Sequence, residues 1–527
     1  MIEIQDFFEI DENGIPIQKP INRVAFTKAD IAYKVKVIQA MQKLGMTVTR
    51  DRMGNTCGTF AGKTRPDKSI ICGSHTDSVD NGGQFDGPLG VFAGLKTAEK
   101  IAKSGKQNDV NYKLIIYACE ESTRFEGKAC LGSKYLRGDN LDFDAIISRD
   151  GLPLREIVEN YKKELDEALE KAGCDPLQEV DKAVTQDEIV TALEGHIEQS
   201  DELRKSGKNI GICTSISAPY RLKADITDIP TAANFICKLK EDAQNPENLT
   251  KYRVTVPEFS ILSNTKTDLK DKKFLALRCH GENNHSGSTP MNERKDAVYG
   301  TAKLIELLSD EPNIQFLQTN TPDWGANQIN SCCELVLAID KNASPATRQK
   351  LLQAQKQASK MANVTFERIP GIAQHDKKSG LFIDVRQQLG MNPKLSCNMI
   401  FETIKDIVHK TKCNSYMNIT AKGEPYITNS DLIQSATEIC ETQQIPYKIM
   451  PSWPGHDLAT LTKNPDARTL LIFCDSTGGS HNVKETTTLD AIEKLVAVES
   501  TLAMQELERA NLLYATPQKN ELEDAVR

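Results

Sequence analysis

The segment SIICGSHTDSVDNGGQFDGPLGVFAGL, residues 69–95, decides the fold expected for this chain. It begins as an apolar strand, continues into a loop that carries His75, Asp77 and Asp86, and ends in the apolar start of a helix. In α/β sheets, strands that end in polar, glycine-rich loops build ligand sites at the carboxyl edge of the sheet. Because side chains alternate along a strand, His75 and Asp77 are expected on one side, where the carboxylate can orient the imidazole. Taken alone, the pattern is equally compatible with a surface pair followed by turn glycines.

The composition is that of a globular protein with at least two domains. The chain has 527 residues, of which 39% are hydrophobic and 26% are charged, enough for more than one core. A net charge of -8 argues against a nucleic acid or an anionic membrane as partner and favours a small molecule. The N-terminus lacks the basic and apolar regions of a signal peptide, and no run reaches the ~18 apolar residues of a membrane span. The fourteen cysteines lack CxxC spacing, so we expect reduced thiols and a cytoplasmic protein.

Two adjacent carboxylates follow a second apolar strand. The run LIIYAC, residues 114–119, is followed directly by Glu120 and Glu121. Adjacent side chains at a strand end project in different directions, so one carboxylate can bind a metal while the other takes a proton from water. A Glu-Glu pair is more often a solvated acidic turn, but the fully apolar strand before it favours a site.

Histidines follow two further apolar segments. One comes directly after residues 192–195, and the other lies in the loop DSTGGSHN, which follows the apolar run at 470–474. The complete set of ligand-type residues behind the four segments is His75, Asp86, Glu121, His196 and His481. Imidazole and carboxylate ligands without thiolates suit Zn²⁺, Mn²⁺ or Co²⁺.

Six motifs, in this order, resemble the amidohydrolase branch of the aminoacylase-type dinuclear metallopeptidases. That branch comprises N-carbamoyl-L-amino-acid hydrolase, β-ureidopropionase and allantoate amidohydrolase. The motifs are GSHTDSVDNGGQFDGPLGV (73–91), ACEESTRF (118–125), EGHIEQS (194–200), NHSGSTPMNERKDA (284–297), MPSWPGHDL (450–458) and GGSHN (478–482). The resemblance implies an α/β fold, with a mixed-sheet catalytic domain and an inserted α+β lid domain of ferredoxin-like type.

The resemblance also implies a catalytic centre with two divalent metal ions, Zn or Mn, with Co as a further option. In this resemblance, Asp86 bridges the two metals. His75 and His196 complete one metal site, and Glu121 and His481 complete the other. Glu120 is the general base, and Asp77 is the carboxylate that lies behind the first histidine. Two metals about 3.5–4 Å apart would lower the pKa of a bridging water and polarise the scissile carbonyl.

The stretch between the two parts of the catalytic domain is longer than one lid requires. Its strand and helix patterns predict one complete β-α-β-β-α-β unit, and the segments before and after this unit together predict a second one. We therefore expect an internally duplicated lid in which one copy is inserted into the other. The predicted boundaries are 1–215 and 421–527 for the catalytic domain, 216–420 for the lid, 216–265 plus 380–420 for its outer copy and 272–370 for its inner copy.

The two copies divide the family's lid residues between them. In homodimeric relatives, the partner's lid contributes a histidine and an asparagine to the active site. The inner copy has the matching His285 and Asn327, but Asp340 stands thirteen residues after Asn327, where the family has an arginine. The outer copy lacks the histidine motif and has Arg386 in FIDVR. We therefore favour a monomer in which the inner lid replaces a dimer partner; a homodimer with unrelated insertions is the alternative.

The resemblance implies further roles around the substrate. His285 would donate to the oxyanion, Arg386 would bind a substrate carboxylate, and Asn327 would assist. Gln199 and His456 lie in family motifs close to the site. The family's Ser-Gly-Ala-Gly-His-Asp is Ser-Trp-Pro-Gly-His-Asp here, with Trp453, which leaves the substrate open.

Three functions are compatible with the sequence. The first is a metal-dependent hydrolase that cleaves the C–N amide bond of an N-carbamoyl (ureido) amino acid or allantoate-like acid, with release of ammonia and carbon dioxide. The second is a dinuclear-metal dipeptidase or N-acyl-amino-acid hydrolase, and the third is an inactive binding protein. GGQFDGPLGV and EGHIEQS favour the first, and the complete ligand set disfavours the third.

Overall fold

The computed structural model is built from two large β-sheets and the helices that cover them. It describes residues 1–125, 127–245, 252–263, 269–322, 328–371, 380–387, 393–411, 417–423 and 425–514.

Strands and helices alternate in the first part of the chain. Its elements are α1 (Lys28–Lys43), β1 (Thr47–Asp51), β2 (Thr56–Phe60), β3 (Arg65–His75), α2 (Pro88–Ser104), β4 (Val110–Tyr117), α3 (Leu131–Arg137), α4 (Leu154–Lys171), β5 (Gln178–Val180), β6 (Ile189–Ile197), α5 (Glu202–Lys205) and β7 (Ile210–Ile216).

The middle part supplies ten strands and four helices within the described residues. They are β8 (Pro219–Ala224), α6 (Ile229–Gln244), β9 (Tyr252–Leu262), β10 (Lys272–His280), β11 (Asn284–His285), α7 (Ala297–Leu308), β12 (Ile314–Asn320), β13 (Gln328–Ile329), β14 (Cys332–Asp340), α8 (Pro345–Ala362), β15 (Thr365–Ile369), β16 (Gly380–Gln387), α9 (Pro393–Lys410) and β17 (Met417–Lys422).

The last part returns to the first sheet. It contains β18 (Tyr426–Ile427), α10 (Ser430–Thr442), β19 (Tyr447–Ser452), α11 (Asp457–Leu461), β20 (Arg468–Cys474) and α12 (Leu489–Tyr514). The long α12 packs against α2 and the sheet. In the described part of the chain, no helix is both long enough and apolar enough to cross a membrane.

The first sheet is mixed, as the sequence predicts. Its order is β18-β7-β20-β6-β3-β4-β2-β1-β5, with β19 also beside β7. The four central strands β20, β6, β3 and β4 run parallel, and β2 and β7 pair antiparallel on either side of them. The carboxyl ends of the central strands therefore meet at one edge, where the predicted site residues follow them.

The central strands are apolar on both faces because helices cover both sides of a parallel sheet. Leu114, Ile115 and Ile116 of β4 are fully buried, as are Leu470 and its neighbours in β20. Helix α2 lies very close to β6, since a Cβ added at Gly90 would stand 2.0 Å from the carbonyl oxygen of Gly195. Glycine in α2 thus allows the helix to follow directly after the loop of Asp86.

The second sheet is formed entirely by the middle part and is antiparallel throughout. Its order is β15-β10-β14-β12-β9-β16-β8-β17. Four strands on one side come from within residues 272–370, and the other four come from the flanking segments. The two sets meet where β9 pairs with β12 through Ile261–Thr319 and Leu262–Gln318. Side chains from both sets, with helices α6 to α9, share one hydrophobic core.

Candidate metal centre

Five buried ligand-type side chains meet at the carboxyl edge of the parallel strands. His75 ends β3 and His196 lies one residue before the end of β6. Glu121 follows β4, and His481 stands in the loop after β20 with a positive φ of 63°. Asp86 lies between β3 and α2, directly before Gly87, whose φ is 87°. A Cβ at Gly87 would lie 2.4 Å from the His75 ring, so glycine is required where the loop passes this imidazole.

Asp86 joins these side chains into two groups. The ligand atoms of His75, Asp86 and His196 all lie within 4.8 Å of one another, and so do those of Asp86, Glu121 and His481. The Asp86 Oδ1 atom is 3.2 Å from His196 Nε2, whereas Oδ2 is 3.7 Å from His481 Nε2. Each carboxylate oxygen of Asp86 therefore faces a different group, as a bridging ligand must.

Backbone contacts orient two of the imidazoles for metal binding. His75 Nδ1 is 2.9 Å from the carbonyl oxygen of Asp77, and His196 Nδ1 is 2.9 Å from that of Ile197. A carbonyl oxygen only accepts, so each Nδ1 carries the proton and each Nε2 keeps its lone pair. The lone pairs face the centre of the group, and this is the tautomer that binds a cation.

The protonation states of the group also fit a divalent cation. Burial lowers the pKa of His75 to about 4, so its imidazole is neutral at pH 7. Burial alone would raise the pKa of Asp86, but the neighbouring His196, His481 and His75 outweigh it and hold this pKa well below its usual range. Neutral imidazole and ionised carboxylate are the forms that coordinate metals.

In the second group, negative charge dominates around His481. Burial alone would lower the pKa of His481, but Glu121 and Asp86 raise it to about 9. His481 Nε2 lies 3.2 Å from Glu121 Oε1. A cation here would replace the proton that these carboxylates stabilise on the imidazole.

Asp86 is held both at its carboxylate and at its backbone N–H. Gln199 Nε2 donates to Asp86 Oδ2 at 2.9 Å, and the Ser480 hydroxyl donates to the same oxygen. The Glu485 carboxylate accepts from the backbone N–H groups of Phe85 and Asp86, both at 3.1 Å. Gln199, expected at the substrate, therefore contacts the shared carboxylate.

Asp77 holds the loop that carries the two glutamates. Its carboxylate accepts from the backbone N–H of Glu120 at 3.2 Å and of Glu121 at 3.0 Å. The sequence predicts that this carboxylate orients the His75 imidazole. Its Oδ1 atom lies 3.8 Å from His75 Nδ1, and the Nδ1–H instead donates to the carbonyl oxygen of Asp77. Burial, with Asp30 and Glu121 nearby, raises the pKa of Asp77 to about 7.

Glu120 stands beside the first group without belonging to it. Its Oε2 atom is 4.0 Å from His75 Nε2, and its Oε1 atom accepts from the Cys130 thiol at 3.3 Å. Burial, followed by the charge of Glu121 and then of Asp457, raises the pKa of Glu120 well above its usual range. A raised pKa makes a carboxylate a better proton acceptor.

His285 reaches the centre from the middle part of the chain. Its ring lies 4.6 Å from the His481 ring, centre to centre. The N–H groups of Gly287 and Ser288 both donate to His285 Nδ1 at 3.1 Å. Nδ1 is therefore the unprotonated nitrogen, and Nε2 carries a hydrogen that it can donate. Burial, with His481 and Arg386 nearby, lowers the pKa of His285 well below its usual value, so the ring is neutral.

Arg386 lies in the same cavity and shares a carboxylate with a second arginine. Arg386 Nε donates to Asp384 Oδ2 at 2.9 Å, and Arg221 Nε donates to Asp384 Oδ1 at 3.2 Å. Arg221 and Asp384 stand opposite each other in the β8–β16 ladder. Asn327 lies outside the described residues, and Asp340, where the family has an arginine, forms an ion pair with Lys272.

His456 and Trp453 flank the centre. The His456 ring lies 4.5 Å from the His196 ring, and its Nε2 is 3.0 Å from the Ser452 hydroxyl. The Arg253 guanidinium stacks 4.1 Å above the Trp453 ring. Trp453 therefore contacts β9 of the second sheet.

Sequence reasoning missed two groups that act on the centre. Glu485 follows the predicted ligand His481 by four residues, and this short spacing in a glycine-rich loop was the only signal for it. Arg221 carried no motif; its place is revealed by the pairing of β8 with β16.

Comparison with known proteins agrees with this centre. The model of peptidase family M20/M25/M40 matches residues 71–505. The chain belongs to this family. An uncharacterized hydrolase of Haemophilus influenzae is 26% identical over 497 residues, 93% of this chain and 95% of the relative. An N-carbamoyl-L-amino acid amidohydrolase of Geobacillus stearothermophilus is 32% identical over 308 residues, 58% of this chain and 59% of the relative. The allantoate amidohydrolase of Bacillus subtilis is 25% identical over 496 residues, 93% of this chain and 94% of the relative.

Two solved structures share the fold of this chain. The crystal structure of AtUAH in complex with glyoxylate has a TM-score of 0.51 and 19% identity over 96% of this chain and 100% of that chain. A hydantoinase/carbamoylase family amidase from Burkholderia vietnamiensis gives a TM-score of 0.50 and 18% identity over 94% of both chains. The resemblance found in the motifs is thus confirmed, and the protein is a metal-dependent amidohydrolase of this family.

Proposed function

We propose that this enzyme hydrolyses the C–N amide bond of an N-carbamoyl (ureido) amino acid or an allantoate-like acid, with release of ammonia and carbon dioxide. The observation that carries the proposal is the shared Asp86 between two buried ligand groups, with Glu120 and Arg386 on the same cavity. The relatives named N-carbamoyl-L-amino acid amidohydrolase and allantoate amidohydrolase support this substrate class.

Two divalent cations fit the donor set, and we propose Zn²⁺ or Mn²⁺, with Co²⁺ also compatible. The proposed ligands are His75, His196 and Asp86 in one site and Asp86, Glu121 and His481 in the other. When bound, the cations supply Lewis-acid polarisation of the substrate carbonyl and acidify the attacking water.

Glu120 is the proposed proton carrier. Its carboxylate lies beside the ligand groups, and its raised pKa makes it basic enough to take the proton from the water. After attack on the carbonyl carbon, Glu120 would pass this proton to the leaving nitrogen, so that the C–N bond breaks to give a neutral amine and carbamic acid. The carbamic acid then breaks down to ammonia and carbon dioxide. Asp77 accepts hydrogen bonds from the backbone N–H groups of Glu120 and Glu121 and so keeps this segment in place.

His285 and Arg386 are proposed to bind the two ends of the substrate. The Nε2–H of His285 donates to the oxygen that gains negative charge as the carbonyl carbon becomes tetrahedral. The Arg386 guanidinium, held at Nε by Asp384, presents its other edge to a substrate carboxylate. His456, next to His196, borders the carbonyl end. Asn327, expected to assist, stays a prediction, as does the cytoplasmic location.

Ammonia release by metal-loaded protein tests the reaction. Metal-free protein is reconstituted with Mn²⁺ or Zn²⁺ and supplied with N-carbamoyl-L-amino acids, N-carbamoyl-β-alanine and allantoate, with Glu120→Gln as the blank. We expect ammonia from at least one ureido acid and none in the blank. Dipeptides and N-acetyl amino acids are tested in parallel for free amine. Turnover of these compounds alone would instead support the dipeptidase or N-acyl-amino-acid hydrolase function.

We also propose that residues 216–420 form a nested lid and that one chain suffices for activity. Two observations support this. The second sheet consists of two sets of four strands, and in the described residues the only strand pairing between the sets is that of β9 with β12. His285, from the inner set, lies next to His481 of its own chain. A partner subunit would then not be needed to supply this histidine.

Mixing two inactive variants distinguishes this monomer from a homodimer. Glu120→Gln keeps His285, and His285→Ala keeps Glu120, so subunits that exchange residues in trans would rebuild one complete site. We expect no recovery of activity after co-refolding the two variants and a solution mass near the 58.4 kDa of one chain. Recovery of activity, or twice that mass, would contradict the single-chain site.

A further inference from the structure

The cavity at the metal centre has a strongly cationic wall. It measures about 460 Å³ and extends from the ligand groups to helix α3 and the segment after α11. Among its described lining residues, the only carboxylates are Glu120 and Glu121, and both have roles in the proposed chemistry. The cationic side chains that line it are Lys134, Arg137, Arg221, Arg386 and Lys463.

These cations form two clusters on different parts of the fold. Arg221 and Arg386 belong to β8 and β16 of the second sheet and share the single carboxylate of Asp384. This cluster is the one that the proposed function assigns to a substrate carboxylate. Because Arg221 and Arg386 carry two positive charges and Asp384 carries one negative charge, the cluster has a net charge of +1.

The second cluster consists of Lys134 and Arg137 on α3 and Lys463 after α11. Its cations also outnumber the carboxylates that they contact. Arg137 Nε donates to Asp139 Oδ1 at 2.9 Å, and Lys463 Nζ donates to the same oxygen at 3.2 Å. Lys134 Nζ donates to the carbonyl oxygen of Ala129 at 2.7 Å, and no carboxylate of the described residues lies within 4.0 Å of it. Arg137 and Lys463 therefore share the single carboxylate of Asp139, and Lys134 adds a third cation that forms no ion pair within the described residues.

Lys134 is the member of this cluster nearest to the reaction. Its hydrogen-bond partner Ala129 is adjacent to Cys130, whose thiol contacts Glu120. A half-buried ammonium group with one carbonyl partner has donors to spare, since it carries three N–H groups. Lys463, with 66% of its side chain exposed, instead lies at the solvent end, where it attracts anions at longer range.

We propose that the substrate carries a second anionic group and that Lys134, with Arg137, binds it. The substrate class is an N-carbamoyl or ureido dicarboxylic acid, whose first carboxylate meets Arg386 and whose second meets the α3 cluster. This inference rests on the proposed function for the reaction that the substrate undergoes. The binding of a second anion at the α3 cluster can be tested separately from that reaction. Charge-assisted hydrogen bonds at a partly desolvated site are strong enough to decide specificity.

Acid and amide pairs of equal shape test the charge requirement. Metal-loaded enzyme is supplied with N-carbamoyl-L-aspartate and N-carbamoyl-L-asparagine, and with the glutamate and glutamine equivalents. We expect kcat/KM to be about 10-fold to 100-fold higher for each acid than for its amide. Lys134→Met is expected to bring that ratio close to one, and Arg137→Gln to reduce it. Lys128→Met should leave the ratio unchanged, because Lys128 is an exposed lysine in the loop before α3 and does not line the cavity.

A binding measurement separates this inference from the reaction. Glutarate and its monoamide are titrated into metal-loaded protein by calorimetry. Tighter binding of glutarate, lost in Lys134→Met but not in Lys128→Met, would support the second anion site even if no ureido compound were hydrolysed. Equal kcat/KM for acids and amides in the wild type, or equal binding of glutarate and its monoamide, would overturn the inference while leaving the amidohydrolase reaction intact.

Discussion

Replacing His285 with phenylalanine isolates the contribution of one hydrogen-bond donor. The N–H groups of Gly287 and Ser288 occupy His285 Nδ1, so only Nε2–H remains to face the cavity. A single donor to a developing oxyanion is worth about 3 kcal/mol, which corresponds to a loss of kcat of about 100-fold to 1,000-fold. KM should change little, because the bond strengthens only as charge develops on the oxygen.

Steady-state kinetics on the ureido acid identified by ammonia release would measure this loss. His280→Ala is the control, since His280 ends β10, shortly before His285 in the chain, but is exposed and pairs with Glu367. His285→Gln, which brings an amide donor, should recover part of kcat. Thermal unfolding of each variant checks folding, because the two N–H groups lose their acceptor in His285→Phe. An unchanged kcat with a raised KM would refute the oxyanion role.

Three further predictions concern the support of the site and the stability of the fold. Glu485→Ala removes the acceptor of the Phe85 and Asp86 N–H groups and should weaken metal binding about 10-fold to 100-fold in a chelator competition. Glu485→Gln keeps an acceptor oxygen and is the control. Equal metal affinity of the wild type and both variants would contradict this prediction. Burial raises the pKa of Glu499 to about 8, above the value of about 4.3 in an unfolded chain. The folded protein therefore binds a proton that the unfolded chain releases, and stability falls by about 2 kcal/mol between pH 6 and 8; Glu499→Gln should remove this part of the pH profile of urea unfolding. Ser344 accepts from the Thr347 N–H at the start of α8, so Ser344→Ala should lower the free energy of unfolding by about 1 kcal/mol, and a loss near zero would show that solvent replaces this cap.

The proposed metal ligands could be selected from the sequence because their placement depends on a rule of sheet geometry. Each follows an apolar run, and parallel strands bring their carboxyl ends to one edge. The sequence predicts that His75 and His196 follow two apolar strands, and the resemblance groups them; that these strands are neighbours is given by the parallel pairing of β3 with β6. The same reasoning correctly gave the strand and helix order of the middle part, where alternation and helical periods are clear.

The supporting contacts could not be predicted, because they depend on register and on side-chain rotation. Arg221 meets Asp384 only because β8 and β16 pair in one register, and nothing local in either strand specifies it. Asp77 was expected to hold His75, but a rotation of its side chain directs the carboxylate to two backbone N–H groups and leaves the carbonyl to the imidazole. Both outcomes are decided by packing over long sequence separations.

The chain passes between the two sheets twice, and the two passages lie side by side. Gly423 N–H donates to the carbonyl of Pro219 at 3.1 Å, and both residues line the cavity. Away from these passages, the two parts of the chain are joined by side chains alone. Arg253 stacks on Trp453, and the ion pairs Lys205–Glu293 and Lys484–Glu282 connect the same two parts. The position of the second sheet over the first is therefore fixed by backbone on one side of the cavity and by exchangeable side-chain contacts elsewhere.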